Sequence, residues 1–201
     1  MMVIIDYKMG NIGSIQNMLK RIGVKAVVSC DTGEIKKAGK IILPGVGAFD
    51  EGMKNLNELG LTELLINKVK EEGVPILGIC LGMQLFSERS EEGVSEGLGL
   101  VEAETVKFRM NHGLKVPHMG WNTVSPVKEN RLYSNLNNNR FYFVHSYHVA
   151  CRKQEDVLSE THYGYDFVSS LQHKNIYGVQ FHPEKSHKFG MQLLRNFAEL
   201  C

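Results

Sequence analysis

The sequence predicts an α/β fold: an open, largely parallel central sheet with flanking helices and added antiparallel strands. Three observations carry that expectation. Short apolar runs alternate with amphipathic helical stretches through residues 1–99, the pattern of consecutive βα units. After Gly99 the pattern changes to short alternating stretches between turn residues, which suits antiparallel or mixed strands added to that sheet. With 201 residues, 43% hydrophobic and 22% charged, the chain is sized for one domain over 1–201 and is too apolar for disorder.

Residues 3–6 read as a buried strand. Ile15, Met18, Leu19 and Ile22 then recur at helical spacing after Ser14, and Gly23 stops that helix. Residues 40–43 form a second inner strand, ended by Pro44-Gly45. Residues 49–59 and 61–70 carry helical periodicity. Residues 74–79 are a strand whose Pro75 fits only at its start or at an edge, and residues 81–89 are the next helix. Later strands are expected at 102–109, 122–127, 140–150, 167–172 and 176–181, with a loop at 135–139. A last helix over 188–200 places Phe189, Leu193, Leu194 and Phe197 on one face.

Lys plus Arg number 23 and Asp plus Glu 22, a net charge of +1 that lacks the electrostatic footprint of a general nucleic-acid binder. No apolar run approaches the roughly 18 residues of a membrane span. The start, Met1-Met2-Val3-Ile4-Ile5-Asp6, lacks the basic opening and long apolar core of a signal peptide. Cys30, Cys80, Cys151 and Cys201 are far apart with no Cys-x-x-Cys pair, so a reduced, cytoplasmic setting is expected.

Gly78-Ile79-Cys80-Leu81-Gly82 sets a thiol between a strand and a helix with glycines two residues to either side, the nucleophile-elbow arrangement with Cys in the Ser position. Small neighbours permit the sharp turn, and the helix start favours a thiolate and offers N–H groups to an oxyanion. His182-Pro183-Glu184 follows an apolar strand; continued extended geometry would place imidazole and carboxylate on one side, a general base with its orienting partner. Pro44-Gly45-Val46-Gly47 follows another strand and either supplies a backbone N–H to an oxyanion hole or is only a tight turn. It is no dinucleotide fingerprint, since Asp50 replaces the third Gly. The stretch 33–40 is no P-loop, since five residues separate its glycines and Ile41 follows Lys40. His145 and His148, at i and i+3 of an apparent strand, would face opposite sides, and His112 and His118 lack a partner at zinc spacing. No metal or cofactor is expected.

With these residues in view, the chain resembles the class I, or triad-type, glutamine amidotransferases, and within them the glutaminase subunits of histidine biosynthesis. The likeness spans nearly the whole chain: Ile5-Asp6-Tyr7 with Gly10-Asn11, residues 43–49, 78–84, 96–100, 117–122, 141–147 and 178–186. It implies Cys80 as nucleophile, His182 as general base and acid, and Glu184 as the group that orients it. It implies an oxyanion hole from Leu81 with Gly45, Val46 and Gly47, the latter segment flipping to form it. Glutamine would meet Gln84, Glu92 and Ser146. Trp121, Asn122, Tyr142 and Lys185 would face a partner and its ammonia entrance, that partner being a (β/α)8 cyclase. Lys8, where the family commonly has a small residue, usually Gly, and Ile12-Gly13-Ser14-Ile15 depart from the histidine branch and resemble paralogues that serve sugar amidotransferases of surface-polysaccharide clusters.

Overall fold

The computed structural model describes residues 1–109, 114–136 and 139–201. The first half is a run of short strands and helices: β1 (Met2–Ile5), α1 (Ile12–Arg21), β2 (Ala26–Ser29), α2 (Thr32–Lys36), β3 (Lys40–Leu43), α3 (Phe49–Glu58), α4 (Thr62–Lys70), β4 (Ile76–Ile79) and α5 (Leu81–Gln84). The second half adds β5 (Arg89–Ser90), β6 (Ala103–Lys107), β7 (His118–Thr123), β8 (Ser125–Pro126), β9 (Arg140–His145), β10 (Tyr147–Cys151), β11 (Val157–Tyr163), β12 (Tyr165–His173), β13 (Ile176–Val179) and α6 (His187–Leu200).

One sheet of eight strands runs in the order β2-β1-β3-β4-β13-β12-β11-β8. The strands from β2 to β13 pair in parallel, and β12, β11 and β8 continue antiparallel. Separate small sheets join β10-β6-β5 and β7-β9. This is the expected α/β class. The inner strands β1 and β4, and β3 after Lys40, carry no polar side chain because both faces are covered. Val3, Ile5, Ile41 and Leu43 pack with Phe49, Met53, Leu56 and Leu65 of α3 and α4 on one side. Ile4, Ile42 and Leu77 pack with Ile15, Leu19, Leu193, Leu194 and Phe197 of α1 and α6 on the other.

Several boundaries differ from expectation for local reasons. The helix after Cys80 stops at Gln84 and Arg89 enters a strand. Its extension is pre-empted because Leu98 donates to the Leu85 carbonyl, Leu100 and Val101 to that of Phe86, and Gly97 to that of Glu88. The stretch 140–150 is two strands, not one: β9 joins β7, β10 joins β6, and Ser146 is the break between them. Likewise, β7 begins at His118, earlier than the expected strand start at Asn122. Helix α1 begins at Ile12, ahead of Ser14. Of the expected loop at 135–139, Asn137 and Asn138 lie outside the described residues, as does His112.

Candidate active site

The site is built at the carboxyl ends of β4 and β13. These strands pair in parallel with Gly78 opposite Gly178 and Ile79 opposite Val179, and the Cys80 N–H donates to the Val179 carbonyl at 2.8 Å. Whatever follows β13 therefore emerges beside whatever follows β4, which is how residues 80 and 182 come to share one place. Cys80 itself has φ 53° and ψ −109°, a left-handed backbone that costs a non-glycine residue about 1–3 kcal/mol. The elbow holds that strain through close backbone contact: a methyl on Gly82 would lie 1.9 Å from the Leu43 carbonyl oxygen, and one on Gly78 would lie 2.7 Å from that of Gly82. Only hydrogen fits at either position.

His182 Nδ1 lies 2.8 Å from Glu184 Oε1, with both side chains 1% exposed. The pairing does not arise from continued extended backbone, because Pro183–Lys185 is a turn of 3-10 helix. The turn folds Glu184 back onto the ring it follows. Among the described residues Nε2 of His182 is buried and meets no partner of hydrogen-bonding geometry, while Cys80 lies close enough to act on the ring. Burial opposes protonation of His182, but the adjacent Cys80 sulfur and Glu184 carboxylate outweigh it and push its pKa up to about 10. A folded-state pKa above the unfolded 6.5 gives stabilisation that is complete below 6.5 and is lost as pH rises through about 10. Glu184→Gln, which keeps the shape and removes the charge, is expected to lower the His182 titration midpoint by at least about one unit, as read by imidazole NMR.

The Gly45 carbonyl accepts from the Leu81 N–H at 3.3 Å, so the donor at the head of α5 is occupied by the Pro44–Gly47 segment itself. Gly47 has φ 119°, open to glycine but strained for other residues. Beside Gly45 stands the Tyr7 hydroxyl, which is buried with no hydrogen-bond partner among the described residues and whose ionisation is pushed far up by burial and then by Cys80.

Gln84 lies beside the cysteine with its amide nitrogen committed to the Tyr147 carbonyl and to Gln180. Glu92 accepts from the Phe49 N–H at 2.9 Å, supplying the α3 cap that Ala48 has no side chain to make. Ser146, at the β9–β10 break, accepts through its carbonyl from the Phe108 N–H. Trp121, Tyr142 and Lys185 share one surface: Trp121 and Tyr142 face each other across β7 and β9, and Lys185 Nζ lies 5.7 Å from the Tyr142 ring. Tyr142 also accepts from the His182 N–H and donates to Ser186 Oγ, so this patch backs directly onto the turn. Asn122 is not part of it; alternation along β7 turns its side chain to the other face, toward His118 and the His162 carbonyl.

The break at Ser146 also overturns the expectation that His145 and His148 face opposite sides. Both rings meet Phe108, at 5.1 and 4.8 Å, and His118 joins them. Among the described residues no group of three or more His, Cys, Asp or Glu is arranged to hold a metal ion, and no helix is long and apolar enough to cross a membrane. Sequence reasoning missed Gln180, whose Nε2 lies 3.6 Å from Cys80 Sγ; the signal available was a lone amide inside the apolar run 176–181.

A family model described as glutamine amidotransferase class-I matches residues 3–200. The chain is 56% identical over 198 residues to the imidazole glycerol phosphate synthase subunit HisH 2 of Methanococcus maripaludis, covering 98% of both proteins. It is 50% identical to the subunit HisH 2 of Pseudomonas aeruginosa, covering 100% of both. Among solved structures it is similar to a glutamine amidotransferase, with TM-score 0.76 and 19% identity over 98% of this chain and 97% of the other. It is also similar to the PurLQS structure from Thermotoga maritima, with TM-score 0.72 and 15% identity over 98% and 96%. At those identities the structural likeness speaks to the fold alone.

Proposed function

The chain belongs to the class-I glutamine amidotransferases, and on that premise we propose that it is a single-domain glutaminase subunit that releases ammonia from glutamine for a partner enzyme. The observation that carries this reading is the strained Cys80 elbow set against the buried His182–Glu184 pair. The Cys80 thiolate attacks the side-chain carboxamide carbon of glutamine, forming a C–S bond and an oxyanion. Collapse breaks the C–N bond as His182 delivers a proton to the leaving nitrogen, giving ammonia and a γ-glutamyl thioester. Water, deprotonated by His182, then hydrolyses the thioester to glutamate and returns the thiol group. Glu184 holds the ring in one tautomer and supports its charged form. Gln84, Glu92 and Ser146 border the glutamine.

The oxyanion needs donors, and the Leu81 N–H is now spent on the Gly45 carbonyl. Rotation of the Gly45–Val46 peptide would free it and turn the Val46 N–H inward, giving two donors in place of none. A two-state peptide of this kind can be biased by whatever binds nearby. The isolated chain is therefore expected to hydrolyse glutamine weakly, with a rise of at least about 10²-fold in the partner's presence, since one oxyanion donor is worth about that much. Full activity of the chain alone, measured as glutamate release, would contradict this gating.

Ammonia in water near neutrality becomes ammonium and ceases to be a nucleophile, so its transfer requires a sheltered path. The identities to HisH subunits favour a (β/α)8 cyclase as partner, docked on the Trp121, Tyr142 and Lys185 surface. That cyclase would use the ammonia to form imidazole glycerol phosphate and a purine precursor. Lys8 and Ile12-Gly13-Ser14-Ile15, which depart from the histidine branch, support a second acceptor, a sugar amidotransferase. Co-purification followed by ammonia-transfer assays with each acceptor decides between them.

A further inference from the structure

The carbonyl oxygen of Tyr147 accepts two hydrogen bonds, from His145 Nδ1 at 2.7 Å and from Gln84 Nε2 at 3.0 Å. A carbonyl cannot donate, so both partners must present N–H to it. That single constraint fixes the polarity of everything attached on either side.

On the histidine side, burial holds His145 neutral, well below its ordinary range, so with Nδ1 protonated its Nε2 is bare. Nε2 can then only accept, and His118 Nδ1, 3.0 Å away, must donate to it. Burial brings His118 down to about 4, so it too is neutral, and its Nε2 accepts from the Asn122 amide at 3.3 Å. The Asn122 amide has that orientation for independent reasons: the same nitrogen donates to the His162 carbonyl at 2.9 Å, and its oxygen accepts from the Thr123 N–H at 2.8 Å.

On the other side, the nitrogen that Gln84 gives to Tyr147 also reaches Gln180 at 3.1 Å, so Gln180 must offer its oxygen there. Its own nitrogen then faces Cys80 Sγ at 3.6 Å. A flipped Gln180 would set amide nitrogen against amide nitrogen and its oxygen against the sulfur. Gln180 is 0% exposed, so no solvent relaxes the arrangement.

We propose that Gln180 is a further residue of the reaction centre, an N–H donor held on the Cys80 sulfur with fixed polarity by Gln84 and the Tyr147 carbonyl, and that His145 and His118 are positioning residues continuing the same chain out to Asn122. The proposal rests on the reading of Cys80 as nucleophile and deepens it. An N–H aimed at sulfur favours the thiolate before attack and loses that advantage once the sulfur is acylated, so it supports the nucleophile without arresting the thioester. The far end of the chain lies on β7, the strand that carries Trp121 on its opposite face.

Two measurements decide it. On the unaltered protein near neutral pH, imidazole nitrogen NMR should show both His118 and His145 as neutral rings protonated at Nδ1; an Nε2-protonated form of either would break the chain and overturn the proposal. In Gln180→Met, which keeps the bulk and removes the donor, alkylation of Cys80 by iodoacetamide should slow about tenfold near neutral pH, with the deficit closing as pH is raised. A rate equal to the parent's, or a deficit the same at every pH, would overturn it. Should that variant fail to fold, the same rate comparison on Gln180→Leu decides for Gln180, and the spectrum of the unaltered protein decides for the two rings. Both readouts report on Cys80 and the rings rather than on turnover, so they stand even if glutamine hydrolysis is judged otherwise.

Discussion

Cys80→Ser is expected to reduce glutamate release by about 10⁴-fold or more while leaving the fold and partner association intact. Ser and Cys are close in size, so the elbow keeps its φ of 53° and the close approaches of Gly78 to Gly82 and of Gly82 to Leu43. The chemistry changes because the site is arranged for a sulfur that ionises beside an imidazolium. The Cys80 sulfur is one of the groups that raise His182, so the serine variant loses that partner together with the acidity that a thiol has and a hydroxyl lacks. Retained glutaminase activity in this variant would reassign the nucleophile.

Gly190→Ala is expected to cost about 2–3 kcal/mol of stability and to lower the rate about 10²-fold, although residue 190 touches none of the reacting groups. Gly190 lies on the buried face of α6, and a methyl there would stand 1.8 Å from the Pro183 carbonyl oxygen and 2.9 Å from its Cα. Pro183 links His182 to Glu184, and neither backbone can yield as a flexible side chain would. Either α6 lifts off the sheet or the turn moves, and with it the imidazole. Gly13→Ala, on α1 where nothing lies within 4 Å, is the control and should leave the rate unchanged. Melting curves beside glutamate release separate the two effects; an active, fully stable Gly190→Ala would show that the turn is less tightly held than its contacts require.

Much of this was legible in the residues. Strand β3 occupies the predicted span, and the glycines around Cys80 mark a close approach that the backbone contacts bear out. What escaped had physical reasons. Strand β2 is four residues long and only Ser29 is buried, and its apolar run is just Ala26-Val27-Val28, too short to stand out. Helix α2 carries a single buried apolar residue, Ile35; its one signal was Asp31 three positions before Glu34, whose N–H it accepts. Strand β11 holds Ser, Glu, Thr and His, and irregular pairing around Ser159 blurs its alternation. The His182–Glu184 contact was anticipated on the wrong geometry, because a two-residue spacing closes as readily through a 3-10 turn as along a strand. The histidine cluster depends on three strands and a break at Ser146, so no local pattern could have announced it. Lys8 is the reverse case: its left-handed backbone gives a physical reason for glycine at a position flagged only as a departure.

The most direct test of the account is covalent labelling with a glutamine analogue carrying a diazoketone in place of the carboxamide, followed by mass analysis of the cysteine peptides. One label is expected, on Cys80, lost in Cys80→Ser and absent from Cys30, Cys151 and Cys201. Inactivation with Cys80 unlabelled, or a label on another residue, would contradict it.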